Sequence, residues 1–332
     1  MRVSTAQVYD TGINGIMRIS AQQMKLQNQI NTGRRVLTPS DDPVASARAL
    51  VVTQSQEVNQ RYIENQGRAK DSLAFLDGTL GSVVDVMGSL IERTIAAGNS
   101  GTLSDSERQV IARELRMRYD ELNALANTQD GEGNYIFAGY QTQTQPFHTS
   151  DVGNAPTGAP VPGVVMAGVT VPAGADVYLG DDGRRQLQLE ASRTMAVSEP
   201  GSDVFVRIRD KNGNVTNESV FTSLGNFIEA LEQTPFDATA FNTAHSAALT
   251  NFYAMLDNTL RIQTTTGSRL AEIDALETTA ADRDLQYESV LSDLQDLDYA
   301  EALSMLSKQQ IQLEASQKSF MAITALGLFN YI

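Results

Sequence analysis

The chain has 332 residues, 41% of them hydrophobic and 20% charged, with a formal net charge of −15 at pH 7. This is the composition of a globular protein long enough for about two or three domains, and its acidic balance disfavours nucleic acid as a partner. The sequence contains no Cys and only 2 His, which excludes disulfides and thiolate chemistry and leaves little scope for imidazole chemistry.

A long first helix is predicted over about residues 5–32. Gly33 follows it directly and is the expected C-cap residue. Within the helix, seam positions alternate three and four residues apart, as in a heptad repeat. These positions are Ile16, Ile19, Gln23, Leu26 and Ile30.

The second helix is predicted to begin at Pro43. Asp41 or Asp42 can cap it, and proline suits the first helical position because no N–H is needed there. A strict seam follows, formed by Leu73, Leu76, Leu80, Val83, Met87 and Leu90. The capping box from Ser104 to Glu107 predicts a third helix, which should pack on the second as an antiparallel hairpin.

The segment from about 140 to 215 has a different composition. Pro and Gly interrupt short β-branched runs such as VTVPAGADVYLG and FVRIRDKNGNVT. Asp-Asp-Gly at 181–183 and Asn-Gly at 212–213 are typical of hairpin turns. We therefore expect a small β-rich domain here, closed by a short helix over 221–233.

Helical spacing returns after about residue 245 and continues to the end. Asp298 and Glu301 form a box-like start for the last helix. A second seam is predicted along that helix at Leu303, Leu306, Gln310, Leu313, Gln317 and Phe320. The fold class is therefore mainly α with a β-rich inserted domain, in which both termini form a long helical bundle or coiled-coil rod.

No motif in the sequence indicates catalysis. The stretch from Asp210 resembles a calcium loop, but Val215 replaces its glycine and Phe221 its bidentate glutamate, so a turn is favoured. His148 and His245 lack companions for a metal or a triad, and we expect both on a surface or a loop. We expect no enzyme, no cofactor and no metal.

The two end helices have thin apolar stripes. Burying about eight Ile or Leu side chains returns roughly 12 to 24 kcal/mol at most. Ordering about sixty residues costs about 1 to 2 kcal/mol each in backbone entropy. We therefore expect the ends to be disordered in the monomer and to fold when they assemble.

Five stretches carry a resemblance to a known family. They read MRVSTAQVYDTGINGIMRI, QNQINTGRRVLTPSDDPVASARAL, GNYIFAGYQTQTQPF, TTTGSRLAEIDALE and LDYAEALSML. Together they resemble the flagellin family, and within it the hook-associated proteins of the hook–filament junction, over about 1–147 and 250–332. Filament flagellin is the alternative, but Pro39, Pro43 and the ending FNYI favour the junction proteins.

The resemblance implies three layers and a set of partners. Residues 1–40 with 298–332 would form a terminal coiled-coil domain lining the export channel, 41–140 with 245–297 a helical rod, and 141–244 an outer β-rich domain. The chain would be secreted through the flagellar type III apparatus into the extracellular flagellum. Its partners would be hook-associated protein 1, flagellin, neighbouring copies in a helical layer and a cytoplasmic export chaperone.

Two groups of residues are predicted to carry these contacts. Apolar positions on the end helices would face neighbouring subunits or the chaperone: Ile16, Ile19, Leu26, Ile30, Leu303, Leu306, Leu313 and Phe320. Asp41, Asp42 and Pro43 would fix the bend between the terminal layer and the rod.

Overall fold

The computed structural model describes residues 5–98, 104–149, 176–208 and 219–329. It is mainly α-helical with a small β-containing insertion, as the sequence predicts. Its elements are α1 (Thr5–Thr32), α2 (Pro43–Ala97), α3 (Asp105–Ala126), β1 (Phe147–Thr149), β2 (Asp176–Tyr178), β3 (Gln186–Glu190), β4 (Arg193–Ala196), a π-helix (Ser202–Val206), α4 (Val220–Glu232), α5 (Ala238–Gln295) and α6 (Tyr299–Phe329).

The chain divides into two compact units. Unit 1 comprises Met1–Arg61 with Ala280–Ile332, and unit 2 comprises Tyr62–Thr279. The helices α2 and α5 contribute residues to both units. The terminal pair α1 and α6 belongs to unit 1, and the strands belong to unit 2.

Local capping sets the helix boundaries where the sequence predicts them. The N–H of Ala45 donates to the Asp42 carboxylate at 2.9 Å, which caps α2. Both hydrogen bonds of the capping box form at the start of α3: the Ser104 side chain accepts from the N–H of Glu107, and the Glu107 side chain accepts from the N–H of Ser104. Asp298 accepts from the N–H groups of Ala300 and Glu301 and caps α6.

Gly33 ends α1 in the left-handed region, with φ of +71°. A Cβ at this position would lie 3.0 Å from the hydroxyl oxygen of Tyr299. The carbonyl of Gly33 also accepts a hydrogen bond from the N–H of Leu297 at 2.9 Å. Both the backbone conformation and the close approach of α6 therefore favour glycine here.

The core of unit 2 is built on the α2 seam. All six predicted seam residues of α2 are buried: Leu73, Leu76, Leu80, Val83, Met87 and Leu90. An ion pair of 3.3 Å joins Arg93 near the end of α2 to Glu114 of α3, as expected for the predicted hairpin. The same core cluster includes residues from α4, α5 and the β strands.

A cluster of aromatic rings attaches the insertion to this core. The ring of Phe147 in β1 lies 5.2 Å from that of Tyr178 and 5.3 Å from those of Phe205 and Phe221. Asn127, just after α3, holds the backbone of Phe147 by accepting from its N–H at 2.9 Å and donating to its carbonyl at 3.0 Å. The first strand is therefore fixed to the end of α3.

The turns of the insertion differ from the prediction. The described strands form two antiparallel pairs, β1 with β2 and β3 with β4. The Asp-Asp-Gly segment at 181–183 joins β2 to β3, which belong to different pairs, so the predicted hairpin turn there is wrong. Its Asp181 instead accepts from the N–H groups of Tyr140 and Gly183. Asn212-Gly213 and Asp210 lie outside the described residues.

The described start of the run at Phe205, residues 205–208, is also not a strand. Residues Ser202–Val206 form a π-helix. Val204 and Phe205 are adjacent in sequence and both fully buried, which the alternating faces of a half-buried strand do not allow. The short helix predicted over 221–233 is confirmed as α4, within one residue at each end.

His245 lies on α5 and not on a loop. Its imidazole is half-buried against the rings of Phe227 and Phe241, and its Nε2 atom lies 3.0 Å from the Thr94 carbonyl. The expected surface or loop position is therefore wrong for this residue, because the aromatic ring packs with two phenylalanines. His148 belongs to β1.

Part of α2 has the length and apolar composition of a membrane span. One 18-residue window has a mean hydropathy of 1.4, and 44% of it is buried inside the protein. The core helix of a globular protein has the same features, so this single helix is weak evidence for a membrane.

Candidate functional site

The helices at the two ends of the sequence pack against each other in antiparallel orientation. Tyr9 near the start of α1 contacts Phe320 near the end of α6. We call their contact the terminal seam and define it by the buried and half-buried positions that follow the three-four spacing through Ile16 and Leu306. These are Tyr9, Gly12, Ile16, Ile19, Gln23, Leu26 and Ile30 on α1, and Ala302, Leu306, Gln309, Leu313, Ser316 and Phe320 on α6.

Most of the predicted apolar seam residues lie on this seam, but Leu303 does not. Its side chain is 52% exposed, and the buried Ala302 takes the seam position. The polar positions shift in the same way, from Gln310 and Gln317 to Gln309 and Ser316. Ala302 lies four residues before Leu306 and Leu303 lies three before it, so both positions fit a three-four repeat. The smaller side chain of Ala302 allows the backbones of α1 and α6 to approach more closely. Whether the predicted residues contact other subunits stays a prediction.

An aromatic contact closes one end of the terminal seam. The rings of Tyr9 and Phe320 are 5.8 Å apart at 89°, an edge-to-face arrangement. A Cβ at Gly12 would lie 2.6 Å from Cδ2 of Phe320, so glycine lets the ring lie over the α1 backbone. Phe320 was predicted on the seam, but Tyr9 and Gly12 were not, although the three-four alternation continues backward from Ile16 to both of them.

Polar side chains interrupt the terminal seam. The Oε1 atom of Gln309 is buried, and no described residue provides it with a hydrogen bond. An unsatisfied buried acceptor costs about 1 to 3 kcal/mol. Gln23 is half-buried in the same seam. Polar residues at seam positions specify register at a cost in stability, so this helix pair is weakly held.

Two loops lie side by side where the terminal helices meet their neighbours in sequence. We call residues 33–42 and 296–298 the crossover. The N–H of Arg35 donates to the carbonyl of Gln295 at 2.7 Å, and its guanidinium donates to the carbonyl of Leu294 at 2.9 Å. The connection from α1 to α2 is thereby fixed to the C-terminal end of α5. The Gly33 carbonyl, which accepts from the N–H of Leu297 at 2.9 Å, joins it to the connection from α5 to α6.

Asp41 is the most heavily bonded side chain of the crossover. Its carboxylate accepts from the Lys25 ammonium at 2.5 Å and from the N–H groups of Leu37 and Thr38 at 3.1 and 3.0 Å. The hydrogen bond from Lys25, followed by that from Thr38, lowers the pKa of Asp41 from 3.8 to about 2. Asp41 therefore stays ionised and connects α1 to the loop that follows it.

Asp42 and Pro43 set the start of α2. Asp42 caps the helix and forms an ion pair of 3.5 Å with Arg35. Lys25 and Arg35 were missed by the sequence analysis, because no local spacing rule connects Lys25 to a carboxylate sixteen positions away. The role of Asp41, Asp42 and Pro43 in fixing a bend between layers stays a prediction.

The terminal pair exposes many large apolar side chains. On α1 and α6 these are Ile13, Met17, Met24, Leu303, Met305, Ile311, Met321 and Ile323. The two helices carry four basic and three acidic residues, a net charge of +1. Since the whole chain carries −15, the remainder carries −16. A nearly neutral surface rich in apolar groups is suited to contact with other proteins.

Described residues of unit 2 also line a groove of about 610 Å³. Its lining includes Phe75, Leu76 and Ile136 together with the charged residues Asp71 and Arg185. Within the described ranges, no group of three or more His, Asp or Glu side chains could hold a metal ion. The candidate functional site is therefore the terminal pair with its crossover.

Comparison with known proteins identifies the family. Residues 3–142 match the bacterial flagellin N-terminal helical region. The flagellar hook-associated protein 3 of Escherichia coli strain K12 is 32% identical over 339 residues, covering 99% of both chains. That of Salmonella typhimurium strain LT2 is 31% identical over 340 residues, again covering 99% of both. The chain belongs to the flagellar hook-associated protein 3 family.

Membership of the hook-associated protein 3 family favours the junction interpretation over filament flagellin. The solved structure of the flagellar junction protein FlgL from Legionella pneumophila shares the fold, with a TM-score of 0.56 and 19% identity. The match covers 75% of this chain and 100% of that one. The names of these relatives describe a component of the flagellum, which is consistent with the expectation that the chain is not an enzyme.

Proposed function

We propose that this chain is the structural junction subunit of a bacterial flagellum. It would connect the hook, through hook-associated protein 1, to the flagellin filament. The observation that carries this proposal is the relationship to hook-associated protein 3 along nearly the whole chain. The exposed apolar surface of the terminal pair supports it, because such surfaces mark sites of protein contact.

Neighbouring copies would assemble through their ends into a tubular layer. Residues 1–40 and 298–332 would line the axial channel, with the rod of 41–140 and 245–297 around them and residues 141–244 outside. A head-to-tail contact whose rotation does not close builds such a helical layer. The terminal pair is suited to this role because it carries a net charge of only +1 in a strongly acidic chain.

We expect the ends of the free subunit to open more easily than unit 2. The terminal seam is only partly buried and contains the unsatisfied Gln309, whereas the α2 seam is fully enclosed. Limited proteolysis of the monomer should cut residues 1–35 and 300–332 at least about tenfold faster than the middle of α2. Equal cutting rates would contradict the hypothesis that the terminal helices become stable only when they contact other subunits.

A cytoplasmic export chaperone would cover the last helix before secretion through the flagellar type III apparatus. The segment from Leu303 to Phe320 is the proposed binding site, because Leu303 and Ile311 expose large apolar groups there. Titration calorimetry with the purified chaperone should show binding that the double variant L303D/I311D loses. The variant V110D, altered at an exposed Val on α3, is the matched control and should bind normally.

Deleting the gene for this chain in its motile source tests the function. Cells should then carry hooks without filaments and release flagellin into the medium, and the wild-type gene should restore the filaments. Normal filaments in the deletion strain would refute the junction function. Loss of filaments without any released flagellin would instead favour the alternative, that the chain is the filament subunit.

A further inference from the structure

The start of α2 exposes an apolar patch that contains one basic residue. Val44 and Val51 are both 63% exposed, and Arg48 between them is also exposed. At about 100° per residue, the three positions lie within roughly 60° of each other around the helix. We call them the α2 patch. Among the described residues Arg48 has no ion-pair partner, so its charge is available to another molecule.

The last part of α5 exposes a second patch of the opposite charge. Leu285 is 65% exposed, and Asp282, Ser289 and Asp293 are exposed around it. These four positions lie within roughly 80° of each other, so they form one face of the helix. We call this face the α5 patch. Its two carboxylates form no ion pair with any residue that the structure describes.

The two patches of a single chain face apart. The side chain of Gln56 on α2 donates to the Asp284 carboxylate on α5 at 3.2 Å, which identifies the side of α5 that faces α2. Asp293 lies roughly 180° around α5 from Asp284. The α5 patch therefore faces away from the α2 of its own chain, and the α2 of another molecule can reach it.

The heights of the two patches match when two copies lie side by side. Asn59 of α2 donates to the carbonyl of Ala280 on α5 at 2.8 Å, so these residues lie level along the antiparallel helix pair. Arg48 lies 11 residues before Asn59, and Asp293 lies 13 residues after Ala280. At a rise of about 1.5 Å per residue, their heights differ by only about 3 Å. By the same count, the apolar side chains of the two patches come within about one helical turn of each other.

Resting on the proposed function, we propose that the α2 patch of each subunit docks on the α5 patch of the next copy in the junction layer. Copies in one tubular layer point the same way along its axis, so α2 of one copy runs antiparallel to α5 of its neighbour. Arg48 then pairs with Asp293, and Val51 packs beside Leu285. The contact is head-to-tail because it joins two different surfaces, and it therefore continues from copy to copy.

The charges select a second copy as the occupant. Each chain carries a net charge of −15, so two copies repel each other unless opposite charges meet at their contact. Docking of two α2 patches would bring two arginines together, and docking of two α5 patches would bring four carboxylates together. The mixed contact pairs opposite charges, and a copy of this chain supplies both halves of it.

Cysteine cross-linking tests the contact directly, because the natural chain contains no Cys. Flagella are isolated from cells that produce the full chain with R48C/D293C and are treated with a short bis-maleimide cross-linker. The expected product is a ladder of covalent multimers of this chain. A mixture of the two single variants should give dimers only, and each single variant by itself should stay monomeric.

Leu50 and Glu288 provide a control pair at matched height. Leu50 lies 9 residues before Asn59, and Glu288 lies 8 residues after Ala280. Both side chains are exposed, but they lie roughly 160° around α2 from the patch arginine and roughly 140° around α5 from Asp293. The variant L50C/E288C should therefore give no multimers. A ladder as strong as that of R48C/D293C would mean that cross-linking does not depend on the helix face, which overturns the inference.

Exchanging the two charges tests whether the ion pair supports the contact. In R48E and in D293R like charges face each other, so each variant should lower the amount of this chain retained in washed flagella about threefold to tenfold. The double variant R48E/D293R should restore retention, because opposite charges meet again. R61E makes the same charge change roughly 140° away around α2 and should be retained normally. Thermal unfolding of each purified variant should match wild type, because these side chains are exposed and have no ion-pair partner in the described part of the chain.

Other results would contradict the inference. Multimers from R48C by itself would mean that two α2 patches meet each other, and loss of retention that R48E/D293R does not repair would mean that the two residues do not meet. A benzophenone photoprobe attached at R48C should capture a second copy of this chain. Capture of flagellin or hook-associated protein 1 would assign the α2 patch to a different occupant. Absence of the wild-type chain from isolated flagella would instead refute the proposed function.

Discussion

The seam of α2 and the terminal seam of α1 and α6 follow the same spacing but are buried to different degrees. Leu73, Leu80 and Leu90 are fully buried in unit 2. Ile16 and Leu313 are only half-buried in unit 1. The three-four spacing therefore predicts which side chains face another helix. It does not predict whether other residues of the same chain bury those side chains completely.

The difference comes from the number of elements that cover each seam. The α2 seam shares one core with side chains of α3, α4, α5 and the strands. The terminal seam is one helix against another, and large apolar groups lie exposed beside it. Unit 2 is thus a complete core, whereas the terminal pair has contact surface that the single chain leaves uncovered.

The largest effect should come from breaking the complete core. Phe147→Ala removes a ring packed against three other aromatic rings and should lower the free energy of unfolding by about 3 to 5 kcal/mol. Phe75→Ala is the control, because Phe75 is 44% exposed and should cost less than about 1 kcal/mol. Urea unfolding measures both, and equal losses would contradict the packing described for unit 2.

A smaller effect should distinguish two glycines of α1. A Cβ at Gly15 meets no atom within 4 Å, so Gly15→Ala should stabilise the helix by about 1 kcal/mol through helix propensity. In Gly12→Ala the added Cβ would collide with the ring of Phe320, so this variant should not gain the stability expected of Gly15→Ala. Amide hydrogen exchange in α1 should be about fivefold or more faster in Gly12→Ala than in Gly15→Ala.

Equal exchange in the two glycine variants would show that Phe320 does not rest on α1 in solution. Neither glycine variant should change the exchange of the α2 seam in unit 2, since the terminal pair and that core are separate compact units.

Local rules in the sequence predict the helices well. The cap at Asp42, the box from Ser104 to Glu107 and the cap at Asp298 involve residues within three positions of each other. Such contacts depend on the chain alone, so spacing and residue type are enough to find them. The stop at Gly33 is of the same kind, because its left-handed φ is a local property of the backbone.

Contacts between distant segments were not predictable in this way. Lys25 bonds Asp41 across a loop, and Arg35 bonds a carbonyl more than 250 positions away. The register of α6 was ambiguous because Ala302 and Leu303 both continue its spacing. The π-helix at Phe205 replaced an expected strand because aromatic packing, and not local propensity, decides that segment.

The smallest expected effect is confined to the crossover and tests it by pH. Hydrogen bonds from Lys25 and from two backbone N–H groups lower the pKa of Asp41 from 3.8 to about 2. Because the pKa is lower in the folded state, the carboxylate's contribution to stability is fully present above about pH 3.8 and is lost as the pH falls through about 2. Carboxyl NMR chemical shifts should follow this titration.

Lys25→Met removes the largest cause of the shift and should raise the pKa of Asp41 towards 3.8. The backbone donors at Leu37 and Thr38 should still keep it below that value. Lys308→Met removes the same charge from an exposed position on α6 and should leave the titration unchanged. If Asp41 titrates near 3.8 in the wild type, the bond to Lys25 is absent in solution, and α1 is then held to the crossover only through its seam with α6.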